Sequence, residues 1–204
     1  RRQRQMCIRD SIGTYYMPRL IREFQDRYPG IKVQVKINTT AVVEKELLDG
    51  KLDLALVGGT IQSEHIVAEP LFYEKYTAIC APEHPMAGKT VLLEEFMKEP
   101  LLFREKSSGA YEVFQSAVNQ TGLTVTPVWE STSQTTLMEA VHYGLGVTIL
   151  PEQMIKREIR EGRLAQITFS DFSFQNTIHI AYHHSKYLSP SIKNFILLVK
   201  TLDF

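Results

Sequence analysis

The chain has 204 residues, of which 44% are hydrophobic and 23% are charged, and Lys plus Arg balance Asp plus Glu at 23 each. This composition suits one large or two small folded domains, and it argues against a nucleic-acid-binding surface, which is basic because it neutralises phosphates. No apolar run approaches the roughly 18–20 residues of a membrane span, and two cysteines make no disulfide framework, so a reducing cytoplasm is expected.

A short strand and a helix are predicted first. Residues 6–8 are apolar enough for a strand, whereas the basic residues before them indicate a linker. Between residues 11 and 28, apolar side chains recur every three or four positions, as on one face of a helix. Pro18 lies late in this segment, so we expect a kink or a separate first turn there. Pro29-Gly30 ends the helix.

Residues 31–57 continue the alternation of strand and helix. Val33, Val35 and Ile37 alternate with polar residues, which predicts a half-buried strand. A helix is expected at 42–49. The apolar run 52–57 then predicts a strand covered on both faces. This order implies a parallel, right-handed α/β layer.

Residues 71–81 predict an extended connector into a second lobe. Beyond it, the predicted elements are a short helix at 92–97, a strand at 101–103, a helix opened by 107–109, a strand at 125–129, a helix at 135–143, a strand at 147–150 and a helix with Pro151 in its first turn. Alternation at 178–182 brings back an extended segment. Ser189 then caps a last helix that has Pro190 as its first residue.

Turns rich in hydroxyl side chains precede four of the predicted helices. Helix N-termini carry unpaired N–H groups and partial positive charge, and open α/β sheets bind ligands beyond the carboxyl ends of their strands. A cluster of such turns from two lobes therefore predicts a pocket for an anion, while helix capping alone remains the alternative for each turn. The candidate ligand-binding residues are Ser11, Thr14, Thr39, Thr40, Ser107, Ser108, Thr132 and Ser133.

Other suggestive groups favour structural interpretations. Gly144-Leu145-Gly146 lacks a third glycine and follows a helix, which indicates a C-cap rather than a nucleotide loop. His183-His184, with His179, is expected to be a solvated surface pair rather than a metal site. Cys7 and Cys80 are expected to be small buried hydrophobes rather than a redox switch. No nucleophile–base set is evident, and we expect no metal, no cofactor and no enzymatic activity.

Five segments, taken in order, resemble a known family, the effector-binding region of LysR-type transcriptional regulators. They are SIGTYYMPRLIREFQDRYPGIKVQV (11–35), LLDGKLDLAL (47–56), EPLFYEKYTAICAPEHPMAGK (69–89), FREKSSGAYEVFQSAV (103–118) and EAVHYGLGVTILP (139–151). The resemblance implies a periplasmic-binding-protein type 2-like α/β fold of two Rossmann-like lobes joined by two crossing strands. It places one lobe at 1–79 plus 180–204 and the other at 80–179.

The resemblance also implies a winged helix–turn–helix domain before Arg1, through which alone the protein contacts DNA, and a homodimer or tetramer with no membrane partner. The nearest subgroup is tied to sulfur metabolism and small oxyanions, which suggests a sulfur oxyanion or a carboxylate as the effector. This chain departs from that subgroup at Gly58, where an acidic residue is usual. It departs again at Tyr111, where the subgroup has an arginine, so an anion-binding role for that side chain does not carry over. The sequence also leaves open whether Arg9 or Asp10 contacts a ligand.

The expected function is therefore a cytoplasmic ligand-sensing domain that binds a small anionic metabolite between its lobes. An extracytoplasmic solute-binding protein of an importer shares this fold and is the main alternative. An enzyme on the same scaffold requires an acid, base or nucleophile in the cleft, where the turns offer mainly hydroxyl groups. A regulator domain that needs no ligand is the remaining alternative.

Overall fold

A computed structural model describes residues 3–8 and 10–201, with side chains from residue 12 onward. The strands are β1 (Gln3–Ile8), β2 (Lys32–Ile37), β3 (Leu54–Gly58), β4 (Ile66–Cys80), β5 (Thr90–Val91), β6 (Leu102–Arg104), β7 (Trp129–Ser131), β8 (Thr148–Pro151), β9 (Ala165–Phe169) and β10 (Gln175–His183). The helices are α1 (Asp10–Tyr15), α2 (Met17–Arg27), α3 (Thr40–Leu48), α4 (Leu93–Phe96), α5 (Gly109–Asn119), α6 (Gln134–His142), α7 (Glu152–Arg160) and α8 (Pro190–Thr201).

The chain divides into two compact units. Unit 1 comprises residues 1–73 and 177–204, and unit 2 comprises residues 74–176. The chain passes from unit 1 to unit 2 within β4 and returns within β10. None of the helices described is long and apolar enough to cross a membrane.

Unit 1 is built on a sheet in the order β2-β1-β3-β10. β1 is parallel to β2 and β3, and β10 is antiparallel to β3. Ile8 lies opposite both Ile37 and Leu56, so the carboxyl ends of the three parallel strands share one edge. Leu54 and Leu56 pack in one cluster with residues of α2 and α8, and this cluster covers one face of the sheet.

Unit 2 contains two sets of paired strands. β4 is antiparallel to β8 and β9, and β9 is parallel to the short β5. β6 is parallel to β7, and a parallel bridge between Leu101 and Val147 links β6 to β8. Arg104 pairs with Ser131 at the carboxyl ends of β6 and β7. These ends therefore present the chain that leads into α5 and α6 at a common edge.

The opening segment differs from the sequence-based expectation in one place and agrees in another. The linker predicted before Met6 is wrong for residues 3–5, which belong to β1 and pair with β2. The break expected near Pro18 is present as a one-residue interruption at Tyr16, which leaves Pro18 in the first turn of α2. Proline is tolerated there because the first N–H groups of a helix have no intrahelical acceptor.

Four further strands differ from those predicted from the sequence. Val35 and Ile37 are 38% and 53% exposed rather than half-buried, because β1 is the sole partner of β2 among the described strands. The strand expected at 125–129 is β7, which starts at Trp129, after Pro127. Proline has no N–H to offer a strand ladder. The strands β5 and β9 were not predicted.

Residues around α6 and α7 also refine two expectations. Pro151 was expected in the first turn of α7 and is its N-cap, one residue before that turn. Gly144 follows α6 with a φ of 73°, which confirms the interpretation as a C-cap glycine. Gly146 has a different role, because a Cβ atom there would overlap the backbone carbonyl oxygen of Pro100.

Candidate functional site

The turn between β2 and α3 supplies amide donors in unit 1. Thr39 is the N-cap of α3, although its hydroxyl makes no capping hydrogen bond. Thr40 is 8% exposed, and its hydroxyl donates a 3.4 Å hydrogen bond to the carbonyl oxygen of Gly58. The first intrahelical bond runs from the N–H of Val43 to Thr39. The N–H groups of residues 40–42 therefore lie ahead of the helical ladder, beside the end of β3.

The first candidate turn is not a turn. Ser11 and Thr14 were expected to precede a helix, but α1 already begins at Asp10, so both lie inside it. The reason is the break at Tyr16, which makes this stretch a separate six-residue helix. Thr14 is exposed. The side chain of Ser11 and any contact from Arg9 or the Asp10 side chain lie outside the described residues.

The turn before α5 follows the expected capping pattern. Ser108 is 1% exposed, and its Oγ accepts a 3.2 Å hydrogen bond from the N–H of Tyr111. The first intrahelical bond runs from Glu112 to Ser108, so the N–H groups of residues 109–110 have no intrahelical acceptor. Ser107 is exposed, and its hydroxyl bonds to no other residue that the structure describes.

The turn before α6 repeats this arrangement. Ser133 is the N-cap, and its Oγ accepts a 3.2 Å hydrogen bond from the N–H of Thr136. The hydroxyl oxygen of Ser131 accepts a 3.0 Å bond from the N–H of Ser133, which holds the turn. Thr132 is exposed and makes no side-chain hydrogen bond within the described chain. In these two turns of unit 2, Ser107 and Thr132 are thus the candidate hydroxyl groups that capping does not use.

Two buried polar side chains of unit 2 were missed from the sequence. Gln134, the first residue of α6, is 3% exposed, and its Oε1 has no hydrogen-bond partner among the described residues. Thr148 on β8 is fully buried, and its Oγ1 likewise lacks a described partner. A buried acceptor without a donor costs about 1–3 kcal/mol. Residue type gave no signal of this burial, because glutamine at a helix start is ordinarily exposed.

The basic side chains near these turns, Arg104 and Lys106, are each paired with an acidic side chain of unit 2. The Arg104 guanidinium contacts the Glu105 carboxylate through two bonds, Nε to Oε2 at 2.9 Å and Nη2 to Oε1 at 3.1 Å. Lys106 lies 3.9 Å from Glu130. Tyr111, which stands where the resembling subgroup has an arginine, is 2% exposed, and burial raises its pKa. The donors at this edge of unit 2 are therefore mainly amides and hydroxyls.

The remaining residues singled out in the sequence are the histidines and the two cysteines. His184 is exposed and His183 half-buried, and their rings stack at 4.8 Å, with His65 against His184 at 5.3 Å. Burial lowers the pKa of His179. Cys80 is fully buried, as expected. Across the described ranges, no three His, Cys, Asp or Glu side chains are placed to hold a metal ion. Cys7 lies in the part of β1 whose side chains are not described.

Comparison with known proteins gives one family. The family profile described as "LysR substrate binding domain" matches residues 3–202. The transcriptional activator CmpR of Synechocystis sp. is 30% identical over 192 residues, which cover 91% of this chain and 62% of CmpR. The regulator CysL of Bacillus subtilis is 28% identical over 94% of this chain and 64% of its own. This chain spans less than two thirds of these relatives.

Solved structures share the fold. The regulatory domain of CcmR from Synechocystis PCC6803, in complex with 2-PG, has a TM-score of 0.88 and 22% identity, over 97% of this chain and 95% of that one. The effector-binding domain of QuiR, in complex with shikimate, has a TM-score of 0.86 and 18% identity, over 97% and 95%. These likenesses confirm the predicted periplasmic-binding-protein type 2-like α/β fold.

Proposed function

This chain belongs to the family of LysR substrate-binding domains, and from that premise we propose that it is the ligand-sensing part of a LysR-type transcription regulator. The relatives reported above are named as transcriptional regulators. A DNA-binding regulator acts where the chromosome is, so the protein would work in the cytoplasm. Contact with DNA would pass through a winged helix–turn–helix domain outside this sequence, and the acting form would be a homodimer or tetramer.

The proposal of a ligand site rests on the starts of the helices that follow β2, β6 and β7. The amides of residues 40–42, 109–110 and 134–135 lie ahead of the first intrahelical hydrogen bonds. Such donors, together with the positive end of the helix dipole, favour an anion. We assign the contacts of the ligand to these amides, to the hydroxyls of Thr39, Thr40, Ser107 and Thr132, and to the capping Ser108 and Ser133. Ser11 and Thr14 stay candidates through α1.

The effector class follows from the balance of donors and charges. Because Arg104 is paired with Glu105, its guanidinium is already neutralised, and the neutral donors of these helix starts favour a small, weakly hydrated or hydroxylated anion. The unpaired Oε1 of Gln134 would accept a hydrogen bond from a hydroxyl of the ligand. A sulfur oxyanion or a carboxylate fits the amides, and a hydroxylated carboxylate would satisfy Gln134 as well. QuiR, a relative in fold, binds shikimate.

The proposed mechanism is conformational and involves no chemical step. Binding of the ligand favours the conformation in which its contacts are complete, here called the closed form, through bending within β4 and β10, as in hinge-type binding proteins. The ligand shifts this equilibrium only by the difference between its affinities for the closed and open forms. In an oligomer, closure would reorient the attached DNA-binding domains.

A thermal-shift screen tests this function. At about 1.5 kcal/mol per heavy atom, a five-atom oxyanion is limited to roughly 7–8 kcal/mol, a dissociation constant near micromolar. Sulfate, thiosulfate, sulfite, shikimate and 2-phosphoglycolate are therefore tested at about 100 times that value, where binding adds about 2.7 kcal/mol to the free energy of unfolding. A reproducible rise in Tm with one of them supports a sensor. No rise with any of them favours a domain that needs no ligand.

The alternatives differ in support. The hypothesis of a solute-binding protein of an importer receives no support from the relatives, because they are named as regulators. A catalytic role needs an acid, base or nucleophile directed at a ligand. The described turns instead present hydroxyls engaged in capping and a neutralised Arg–Glu pair. We therefore propose a binding function.

A further inference from the structure

Unit 2 contains a cavity of about 360 Å³ whose lining includes none of the candidate turn residues. It opens where two strands separate. β4 and β9 pair from Cys80–Ala165 to Ala78–Ile167. Beyond that point, the N–H of Tyr76 bonds instead to the carbonyl of Phe174 at 3.3 Å. Cavities of about 300–1,000 Å³ are the usual size of small-molecule sites.

One wall of the cavity is aromatic. Tyr76 and Phe174 meet with ring centroids 4.8 Å apart, and Phe169 and Phe172 meet at 5.6 Å. Phe172 and Phe174 both pack against the fully buried Phe114, at 5.9 Å and 5.3 Å, so the wall is anchored in the core. Rings fixed in this way offer a flat apolar ligand edge-to-face or offset contacts.

The polar part of the lining carries one uncompensated positive charge. Lys75 is exposed and has no ion-pair partner anywhere in the described chain. The other charged lining residue, Glu152, is paired with Lys156 at 3.2 Å. Gln166 and Ser173 also line the space, and their side chains make no hydrogen bond to described residues. The cavity therefore combines an apolar ring surface with a free ammonium group and neutral hydrogen-bonding groups.

We propose that this cavity is a second ligand site, which takes a small aromatic carboxylate. The ring of the ligand lies against Phe172 and Phe174, and its carboxylate accepts a charge-assisted hydrogen bond from Nζ of Lys75. Gln166 and Ser173 bond to ring substituents or to the second carboxylate oxygen. This cavity is distinct from the anion site assigned to the helix starts, because the two share no residue.

Isothermal titration calorimetry of the intact chain with benzoate tests the site. A ligand with about nine heavy atoms is expected to have a dissociation constant between about 1 mM and 1 μM. Lys75→Gln is expected to weaken binding about tenfold, because it removes the charged donor. Phe172→Leu keeps an apolar side chain but removes the ring, and it is expected to weaken benzoate more than cyclohexanecarboxylate. Ser173→Trp fills the space and is expected to abolish binding.

Matched controls distinguish binding in this cavity from binding elsewhere on the protein. Lys89→Gln removes another exposed lysine of unit 2 that does not line the cavity, and it is expected to leave benzoate affinity unchanged. The Ser107→Ala/Thr132→Ala variant alters the helix starts and reports whether benzoate binds there instead. Absence of binding at about 10 mM, equal losses in Lys75→Gln and Lys89→Gln, or a loss confined to Ser107→Ala/Thr132→Ala would each overturn the second site. A failure here leaves the effector proposal standing.

Discussion

The hydroxyl oxygen of Ser108 accepts a 3.2 Å hydrogen bond from the backbone N–H of Tyr111, and this bond closes the first turn of α5. The side chain is 1% exposed, so the bond forms away from bulk water. An oxygen that accepts this bond still has its own O–H to donate. Ser108 can therefore both cap the helix and contact an anion, whereas its neighbour Ser107 has no capping role.

Replacing Ser108 with alanine is expected to lower the free energy of unfolding by about 0.5–2 kcal/mol, because the cap is lost. Chemical denaturation followed by circular dichroism measures the change. Ser108→Asn keeps a capping side chain and is expected to restore most of the stability. Ser107→Ala is the matched control, with a change within about 0.5 kcal/mol. Equal effects of Ser107→Ala and Ser108→Ala would contradict the capping assignment.

Removing the partner of Arg104 is expected to be more costly. In Glu105→Gln the guanidinium, whose side chain is 10% exposed, loses its carboxylate, and a poorly solvated charge without a partner lowers stability by about 2–4 kcal/mol. Urea denaturation measures the loss. Lys106→Gln breaks the exposed 3.9 Å pair with Glu130 and should change stability by less than about 1 kcal/mol. Similar losses in both variants would show that the Arg104–Glu105 pair has no special role.

The Tyr182 hydroxyl donates a 2.6 Å hydrogen bond to Glu69, and this bond is the main cause that raises the pKa of Tyr182 to about 12 from 10.0. A pKa raised by folding contributes stability that is complete below about pH 10 and is lost as the pH rises toward about 12. Tyr182→Phe is expected to be about 1–2 kcal/mol less stable at about pH 8. This difference should shrink above about pH 10, measured by urea midpoints. Tyr187→Phe, at a 79% exposed position, is the control; a pH-independent difference for Tyr182→Phe would contradict the linkage.

Burial raises the pKa of the Cys80 thiol to about 11. About one molecule in a thousand would then carry the reactive thiolate at about pH 8. In a Cys7→Ala variant, Cys80 is the one remaining thiol, and the folded protein is expected to react with a disulfide reagent at least about 100-fold more slowly than the urea-unfolded protein. Comparable rates would instead favour a redox switch at this cysteine.

The capping serines could be predicted from the sequence because the signal is local. A hydroxyl residue before an apolar periodic segment has few other roles, and Ser108 and Ser133 both proved to be caps. The same reasoning failed at Ser11, because the helix begins one residue earlier, at Asp10, and then stops at Tyr16. Where a helix starts depends on its packing as well as on its first polar residue.

Features that depend on tertiary contacts could not be predicted. The burial of Gln134 and the pairing of Arg104 with its own neighbour Glu105 reflect how unit 2 packs, and neither has a sequence signature. β9 was missed although Ile167 and Phe169 alternate with polar residues, because five residues are too few for a period to stand out. The cavity beside Lys75 depends on the point at which β9 separates from β4. No local sequence pattern predicts that point.

Calorimetric titration of the anion that raises Tm most is the most direct test of the central claim, that helix-start hydroxyls and amides hold a small anionic effector. The wild-type chain is compared with Ser107→Ala/Thr132→Ala, which leaves the caps intact, and with Ser116→Ala, an exposed serine on α5. Two lost hydrogen bonds to an anion predict a dissociation constant at least about tenfold larger for the double variant and an unchanged one for Ser116→Ala. Equal affinity in all three proteins would contradict the claim.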